Sequence, residues 1–459
     1  MSDGKNLTVK EAFDLAIQNH QNNNLQDAKN YYNKVLEIDP NHLSANNNLG
    51  VLFQGSGDIQ KAKACYEKAI AINPNYVDGH NNLGIIFKEL GENQKAIDCY
   101  EKAIKINPTK AEAHNNLGAI FKELGENKKA KSCYENAIKI NPNDSNPYTH
   151  LGTIFLNLKE YQRAEDCYAK SIELKPNSPV ALINRGLILF EKGEFELSLI
   201  DFDNCNTIDS RSMALSSLYA LGKIEDIYAR IKKNFSLDEK NLRVAAFSSF
   251  IANREKRSTS HNFCLNPINF IHHSNLSLHL KNFHSFITEV IEELHSIDTI
   301  WEPYGKTTIK GSQSRPNLFV KPQKKIQHLK SIIITEIESY CLKFKNETCS
   351  FIKKWPSKYN LSAWHVILRK QGHQKLHIHP AGWLSGVIYF KIPPVILKNE
   401  GAIELGLNGQ HYYDADSPKV VHQPKLGDIV LFPSSLHHRT IPFSTNTDRI
   451  SIAFDLVPI

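Results

Sequence analysis

At 459 residues the chain is longer than one hydrophobic core serves, so two or three domains are expected. A hydrophobic share of 41% and a charged share of 22% are those of an ordinary globular protein and exclude wholesale disorder. A net charge of +7 over this length, with Arg254-Glu255-Lys256-Arg257 the nearest thing to a basic cluster, gives no nucleic-acid footprint, and no apolar window of about 18 residues offers a conventional membrane helix.

Residues 1 to 10 show no basic stretch followed by an apolar one, so no secretory leader is expected. None of the eight cysteines forms a CxxC pair. Four of them, Cys65, Cys99, Cys133 and Cys167, return every 34 residues. Thiols copied at one helical position read as small, partly buried side chains in a reducing compartment, which points to the cytoplasm.

The same period governs the whole first half. Gly50, Gly84, Gly118, Gly152 and Gly186 are spaced by 34, as are Pro40, Pro74, Pro108, Pro142 and Pro176. Ala62, Ala96, Ala130 and Ala164 return with Tyr66, Tyr100, Tyr134 and Tyr168. Leu49, Gly50 and Phe53 share one face of a first helix, Ala62, Tyr66 and Ala69 share one face of a second, and the proline ends each pair. Period and positions match the tetratricopeptide repeat, a helical hairpin. Six units are expected, beginning near Val9, Leu43, Val77, Ala111, Ser145 and Pro179, with a degraded seventh and a terminal helix over 213–254.

The first helices of such an array make a concave face. Asn48, Asn82, Asn116 and Asn184 occupy one equivalent position there, with His150 standing in the fourth unit. Regularly spaced amides suit the main chain of an extended peptide, so a protein or peptide partner is expected in this groove. The pattern resembles the asparagine ladder in the repeats of O-GlcNAc transferase. The same residues are also what recent copying of one unit would leave behind.

Repeat register is lost over 236–262, which reads as a helical, basic linker between a repeat array over 1–235 and a second domain over 263–459. That domain opens with helices near 278–295 and 324–345, separated by a loop carrying Trp301 and Gly311-Ser312-Gln313-Ser314. Strands are expected at roughly 361–369, 374–379, 384–392, 402–405, 428–432, 436–440 and 449–457. Two helices followed by seven or eight short strands suggest a jelly-roll barrel, and such barrels hold ligands in their mouths. The expected fold class is therefore an all-α repeat solenoid followed by a jelly-roll, or double-stranded β-helix, domain.

The chemistry of this half centres on His377-Ile378-His379-Pro380. Two histidines one residue apart on an extended segment face the same side, and a third from a distant strand can close a metal site. Further on come Gly427-Asp428-Ile429-Val430-Leu431-Phe432-Pro433-Ser434, then His438-Arg439-Thr440-Ile441-Pro442, and finally Arg449-Ile450-Ser451. In this order and spacing the segments resemble the 2-oxoglutarate- and iron(II)-dependent oxygenases, in particular a branch with prolyl-hydroxylase-like barrels. The resemblance covers about 263–459.

It implies iron(II) and 2-oxoglutarate as cofactor and cosubstrate. Carried over position by position, His377 and His438 would bind the metal, Arg449 and Ser451 would hold the distal carboxylate of 2-oxoglutarate, and Tyr389 would donate a hydrogen bond to it. His437 competes with His438, and the family pattern selects His438. His379 stands where most of the superfamily has an acid. It completes a three-histidine site, or lies behind the metal with water or a remote carboxylate such as Glu404 in its place, or marks a lost site. Eight histidines follow Trp364, His365, His373, His411 and His422 among them, so an HxH pair can also arise by chance. The expected activity is hydroxylation coupled to decarboxylation of 2-oxoglutarate on a protein or peptide held by the repeats. The alternatives are a repeat adaptor with an inactive barrel, and a cupin-like three-histidine dioxygenase that does not use 2-oxoglutarate.

Overall fold

In the computed structural model, which describes residues 7–303, 305–315 and 317–459, the chain divides into two units, Met1–Lys192 and Gly193–Ile459. Residues 1–6, part of the stretch read for a leader, lie outside the described residues. No described helix is long and apolar enough to cross a membrane.

In the first unit α1 (Val9–Gln21) pairs with α2 (Leu25–Ile38), α3 (Leu43–Gly55) with α4 (Ile59–Ile72), and α5 (Val77–Glu89) with α6 (Asn93–Ile106). The pattern continues with α7 (Ala111–Glu123) and α8 (Asn127–Ile140), then α9 (Ser145–Asn157) and α10 (Tyr161–Leu174); α11 (Pro179–Glu191) closes the unit. The repeated glycine has a steric cause. A Cβ on Gly84 would stand 2.6 Å from Cε1 of the fully buried Tyr100, and Gly118 meets Tyr134 at 2.8 Å in the same way. Glycine on the first helix and tyrosine on the second are thus one packing unit. A proline ends each of the first five hairpins because it cannot continue a helix, and at Asn73, Asn107 and Asn141 the asparagine before it closes a turn. Asn107 Oδ1 accepts from the Thr109 N–H at 3.0 Å, as Asn73 does from Asn75.

The second unit begins with α12 (Phe195–Cys205), α13 (Ile208–Ala220), α14 (Ile224–Lys233), α15 (Phe235–Asp238) and α16 (Leu242–Arg254). The expected linker over 236–262 is therefore corrected. Val244, Phe247, Phe250 and Ile251 of α16 are buried in one core with Leu215 and Leu218 of α13 and with residues of the barrel. Phe247 and Phe250 flank Tyr412 at 4.8 and 4.7 Å. The basic residues that suggested a linker, Arg254, Lys256 and Arg257, lie at the end of the helix and just past it, while its apolar residues bury it.

Beyond this lie β1 (His272–Asn275), α17 (Phe283–His295), β2 (Thr299–Trp301), β3 (Thr308–Ser314), α18 (Lys324–Phe344) and the short α19 (Ser350–Lys353). The remaining strands are β4 (Tyr359–Gln374), β5 (Leu384–Lys391), β6 (Ile403–Gly406), β7 (Lys419–His422), β8 (Asp428–Pro433), β9 (His437–Thr440) and β10 (Arg449–Pro458). They form two antiparallel sheets, a large one in the order β1-β8-β5-β10-β4-β3-β2 and a small one in the order β7-β6-β9.

Val387 and Tyr389 of β5 and Val430 and Phe432 of β8 share a core with Ile403 and Leu405 of β6, so the sheets pack face to face as in a jelly roll. The intervening residues, Ile388, Phe390, Ile429 and Leu431, pack with Val290 of α17 and Ile333 of α18 on the other face. Central strands buried on both sides read as continuous apolar runs, which is why they are visible in the sequence. Two expectations fail. The loop around Trp301 and 311–314 is instead β2 and β3, recruited by the long edge of β4. The strand expected at 374–379 does not form: His377 makes one isolated bridge to His438.

Candidate metal centre

His377 and His438 are joined by that bridge, N–H to carbonyl at 3.0 Å one way and 2.9 Å the other. A directly opposed antiparallel pair puts both side chains on one face. Their rings lie 4.3 Å apart, centroid to centroid, and His379 closes the group at 5.1 Å from His377 and 4.9 Å from His438. One ring nitrogen of each lies within 4.8 Å of the others, and the two Nε2 atoms of His377 and His379 stand 3.2 Å apart.

The other ring nitrogens fix the tautomers. His377 Nδ1 donates to the Lys375 carbonyl at 2.6 Å and His438 Nδ1 to the Leu436 carbonyl at 3.2 Å. A carbonyl can only accept, so each neutral ring carries its proton on Nδ1 and offers a lone pair on Nε2. His379 Nδ1 donates to Asp455 Oδ1 at 2.6 Å, with the same result. Asp455 in turn accepts from Ser385 Oγ at 2.7 Å, and Ser385 meets Ser434 at 2.8 Å. Histidines anchored behind by carbonyls and a carboxylate are oriented as metal ligands commonly are. Burial also holds His377 and His438 neutral. It pulls His377 down to about 4, with His379 adding to the effect, and takes His438 well below the ordinary histidine value.

His379 is held tightly from the main chain as well. Its N–H donates to the Ser434 carbonyl at 3.1 Å and its carbonyl accepts from the Gly382 N–H at 3.0 Å. The turn admits no side chain at 382, where a Cβ would stand 2.6 Å from Ser434 Oγ. His437 turns to the opposite face and meets Tyr412 edge-on at 5.7 Å. Glu404, considered as a remote ligand, is corrected out of the site. It lies opposite Arg439 across β6 and β9 and pairs with it at 2.8 Å, whereas its neighbour Leu405 lies opposite His438. Of the other histidines noted in the sequence, His365 is buried in β4, His422 pairs with Asp428 at 3.1 Å, and His373 and His411 lie outside the three-histidine group.

On β10 even-numbered residues such as Ile450, Ile452 and Phe454 enter the core under the helices, so Arg449, Ser451 and Asp455 lie on the opposite face. Arg449 is 1% exposed, donates to Ser451 Oγ at 3.3 Å, and lies over the Tyr389 ring with its guanidinium carbon 4.8 Å from the centroid. Tyr389 stands opposite Ser451 in the register of β5 and β10. Among the described residues no carboxylate pairs with Arg449, and neither its Nε nor the Tyr389 hydroxyl has a hydrogen-bond partner. Burial pushes the Tyr389 hydroxyl up to about 12 against the pull of Arg449, so the hydroxyl stays protonated and able to donate. A buried cation with unpartnered donors calls for an anion. The residues fit the carboxylate of a dicarboxylic acid, and three neutral imidazoles fit iron(II).

A cleft of about 840 Å³ opens over His377, His379 and Asp455, with Trp364 5.4 Å from the His379 ring. Asp455 escapes a reading of motifs; its signal is an acid in the otherwise apolar run from Ile450 to Val457.

In the repeat unit three of the equivalent asparagines bond to a neighbouring residue of the preceding repeat, not to one another. Asn82 Nδ2 donates to Asn47 Oδ1 at 3.0 Å, Asn116 Nδ2 to Asn81 Oδ1 at 3.2 Å, and Asn48 Nδ2 to the Tyr32 hydroxyl at 3.3 Å. His150 stacks on Tyr134 at 5.2 Å, and Asn184 is half-buried on α11.

Residues 362–455 match the family described as "Putative 2OG-Fe(II) oxygenase". Tetratricopeptide repeat families match 19–42, 55–91, 84–125, 111–144 and 133–166. No curated protein matches the chain. Among solved structures the chain is similar to PilF of Pseudomonas aeruginosa, at 21% identity over 45% of this chain and 96% of that one, with a TM-score of 0.41. It is also similar to MamA, at 25% identity over 37% and 92% with a TM-score of 0.32. A third is YrrB, described as a TPR protein with an unusual peptide-binding site, at 21% identity over 42% and 97% with a TM-score of 0.33. The chain thus joins N-terminal tetratricopeptide repeats to a C-terminal domain of this oxygenase family.

Proposed function

We propose that the C-terminal domain is a 2-oxoglutarate- and iron(II)-dependent oxygenase that hydroxylates a protein or peptide recruited by the repeats. The observation that carries this reading is Arg449, a buried guanidinium with no acid of its own beside a hydroxyl and a phenol that can donate. His377, His379 and His438 would hold the metal through Nε2, and Asp455 would orient His379 and supply, one bond further out, the negative charge that a ligating acid gives elsewhere in the superfamily. Arg449, Ser451 and Tyr389 would bind the far carboxylate of 2-oxoglutarate and so present its other end to the three histidines. Bound iron with 2-oxoglutarate supplies the oxidative decarboxylation that drives C–H hydroxylation.

The repeats would take an extended segment along Asn48, Asn82, Asn116, His150 and Asn184. The contacts of Asn82 and Asn116 to the preceding repeat use one N–H each and hold the amide plane, leaving the carbonyl oxygen for a main-chain N–H. Eight free cysteines, four of them repeated along the solenoid, fit a reducing, cytoplasmic setting.

Anaerobic titration with iron(II) and then 2-oxoglutarate should give the weak visible charge-transfer band of the chelate, and admission of air should yield succinate. Metal uptake with no response to 2-oxoglutarate would instead favour a three-histidine dioxygenase of another kind, and no metal uptake would leave the barrel as an adaptor.

A further inference from the structure

The charge of the cleft bears on what it accepts. The cleft over the three histidines continues past His377 into a second cavity of about 330 Å³, the two sharing Arg243, Lys306, Thr307 and His377. Lys306 and Arg315 line the first lobe and Lys375 the second; all three are exposed and none has an ion-pair partner among the described residues. Arg243 is already neutralised by Asp209 at 2.7 Å. Among the described residues the only acid lining either lobe is Asp455, which is engaged by His379 and Ser385. Other cations of this unit do have acids beside them, among them Lys325 with Glu289, Lys354 with Glu239, Arg230 with Asp203 and Arg439 with Glu404.

Resting on the oxygenase reading, we infer that the segment entering this cleft is an acidic polypeptide, with carboxylates on both sides of the residue presented to the histidines. Cations around a concave, partly desolvated surface focus the field and attract anions. Here they stand on both sides of His377, so a ligand bound by them passes the centre rather than ending at it. The walls favour a peptide over a nucleic acid. They carry Gln313, Gln374 and Ser362 for a main chain and Ile300, Pro303 and Ile378 for aliphatic contact.

The test is binding of three fluorescent peptides of equal length to the full-length protein, one rich in Asp and Glu, one with Asn and Gln in their place, and one with Lys. Measured anaerobically, with and without iron(II) and 2-oxoglutarate, it stands apart from turnover. The acidic peptide should bind about tenfold or more tightly than the amide peptide at low salt, and the gap should close as salt rises. The triple variant Lys306→Glu, Arg315→Glu, Lys375→Glu should lose that preference while keeping metal uptake and the charge-transfer band; Asn82→Ala with Asn116→Ala separates binding at the repeats from binding at the cleft. Equal binding of the acidic and amide peptides, no binding of any, or a preference untouched by the triple variant overturns the inference. So does a single-stranded oligonucleotide that displaces the acidic peptide from the cleft at lower concentration. Loss of the charge-transfer band in the unmodified protein would defeat the oxygenase reading and leave the peptide result to be judged alone.

Discussion

His379, in the turn closed by Gly382, and Asp455, on β10, meet through Nδ1 and Oδ1 at 2.6 Å. An acid thus stands directly behind the His379 ring. Asp455→Asn keeps the shape and removes the charge. It is expected to weaken cobalt(II) or iron(II) binding about 10–100-fold, read from the d–d bands in an anaerobic cobalt titration, with little change in melting temperature. Unchanged metal affinity would reduce Asp455 to a structural role.

Arg449 separates stability from function. A fully buried charge with no acid beside it destabilises the fold, so Arg449→Met should raise the stability of the protein without ligand by about 1–3 kcal/mol in urea unfolding while abolishing 2-oxoglutarate binding. A melting temperature that falls instead would mean the guanidinium has a protein partner in solution.

The bridge between His377 and His438 is made by main-chain atoms, so their side chains can be removed without breaking it. His377→Ala and His438→Ala should each lower metal affinity at least about 100-fold, whereas His373→Ala should have no effect. Anaerobic iron(II) titration of the three variants checks this.

His365 gives the barrel a pH limit. It is fully buried, neither ring nitrogen has a partner among the described residues, and burial pulls it down to about 4. Below the unfolded value of about 6.5 the unfolded chain takes up a proton that the folded chain refuses, so stability falls as pH drops from about 6.5 to about 4, by up to about 3 kcal/mol from this group. Denaturant unfolding against pH should show the slope, and His365→Phe should remove this group's share of it, leaving the share of His377 and His438.

In the repeats, Gly84→Ala forces a methyl to within 2.6 Å of the Tyr100 ring and should cost about 1–3 kcal/mol. Tyr100→Leu in the same chain should recover part of the loss, and a double-mutant cycle on the melting temperature measures the coupling.

The repeat helices are legible because a 34-residue period multiplies every signal, and the strands β5, β8 and β10 because both of their faces are buried. β2 and β3 are not, since Thr299–Trp301 and Thr308–Ser314 hold to the sheet through β4 rather than through an apolar pattern of their own. His377, His438, Arg449 and Ser451 can be picked out by order and spacing, but the part played by Asp455 depends on β10 facing the 377–382 turn, a long-range contact that no local pattern encodes. Glu404 fails as a ligand for a period-2 reason: it alternates with Leu405, and only Leu405 lies opposite His438.

The burial of α16 decides where the molecule can be cut. A truncated chain starting at Phe263, where the strand-rich half begins in the sequence, would leave Tyr412 without Phe247 and Phe250 and expose the barrel core those rings cover. Such a fragment should aggregate, and its inactivity would say nothing about the histidines. Dissection of recruitment from chemistry belongs between Lys192 and Gly193, leaving the last helices with the sheets they cover.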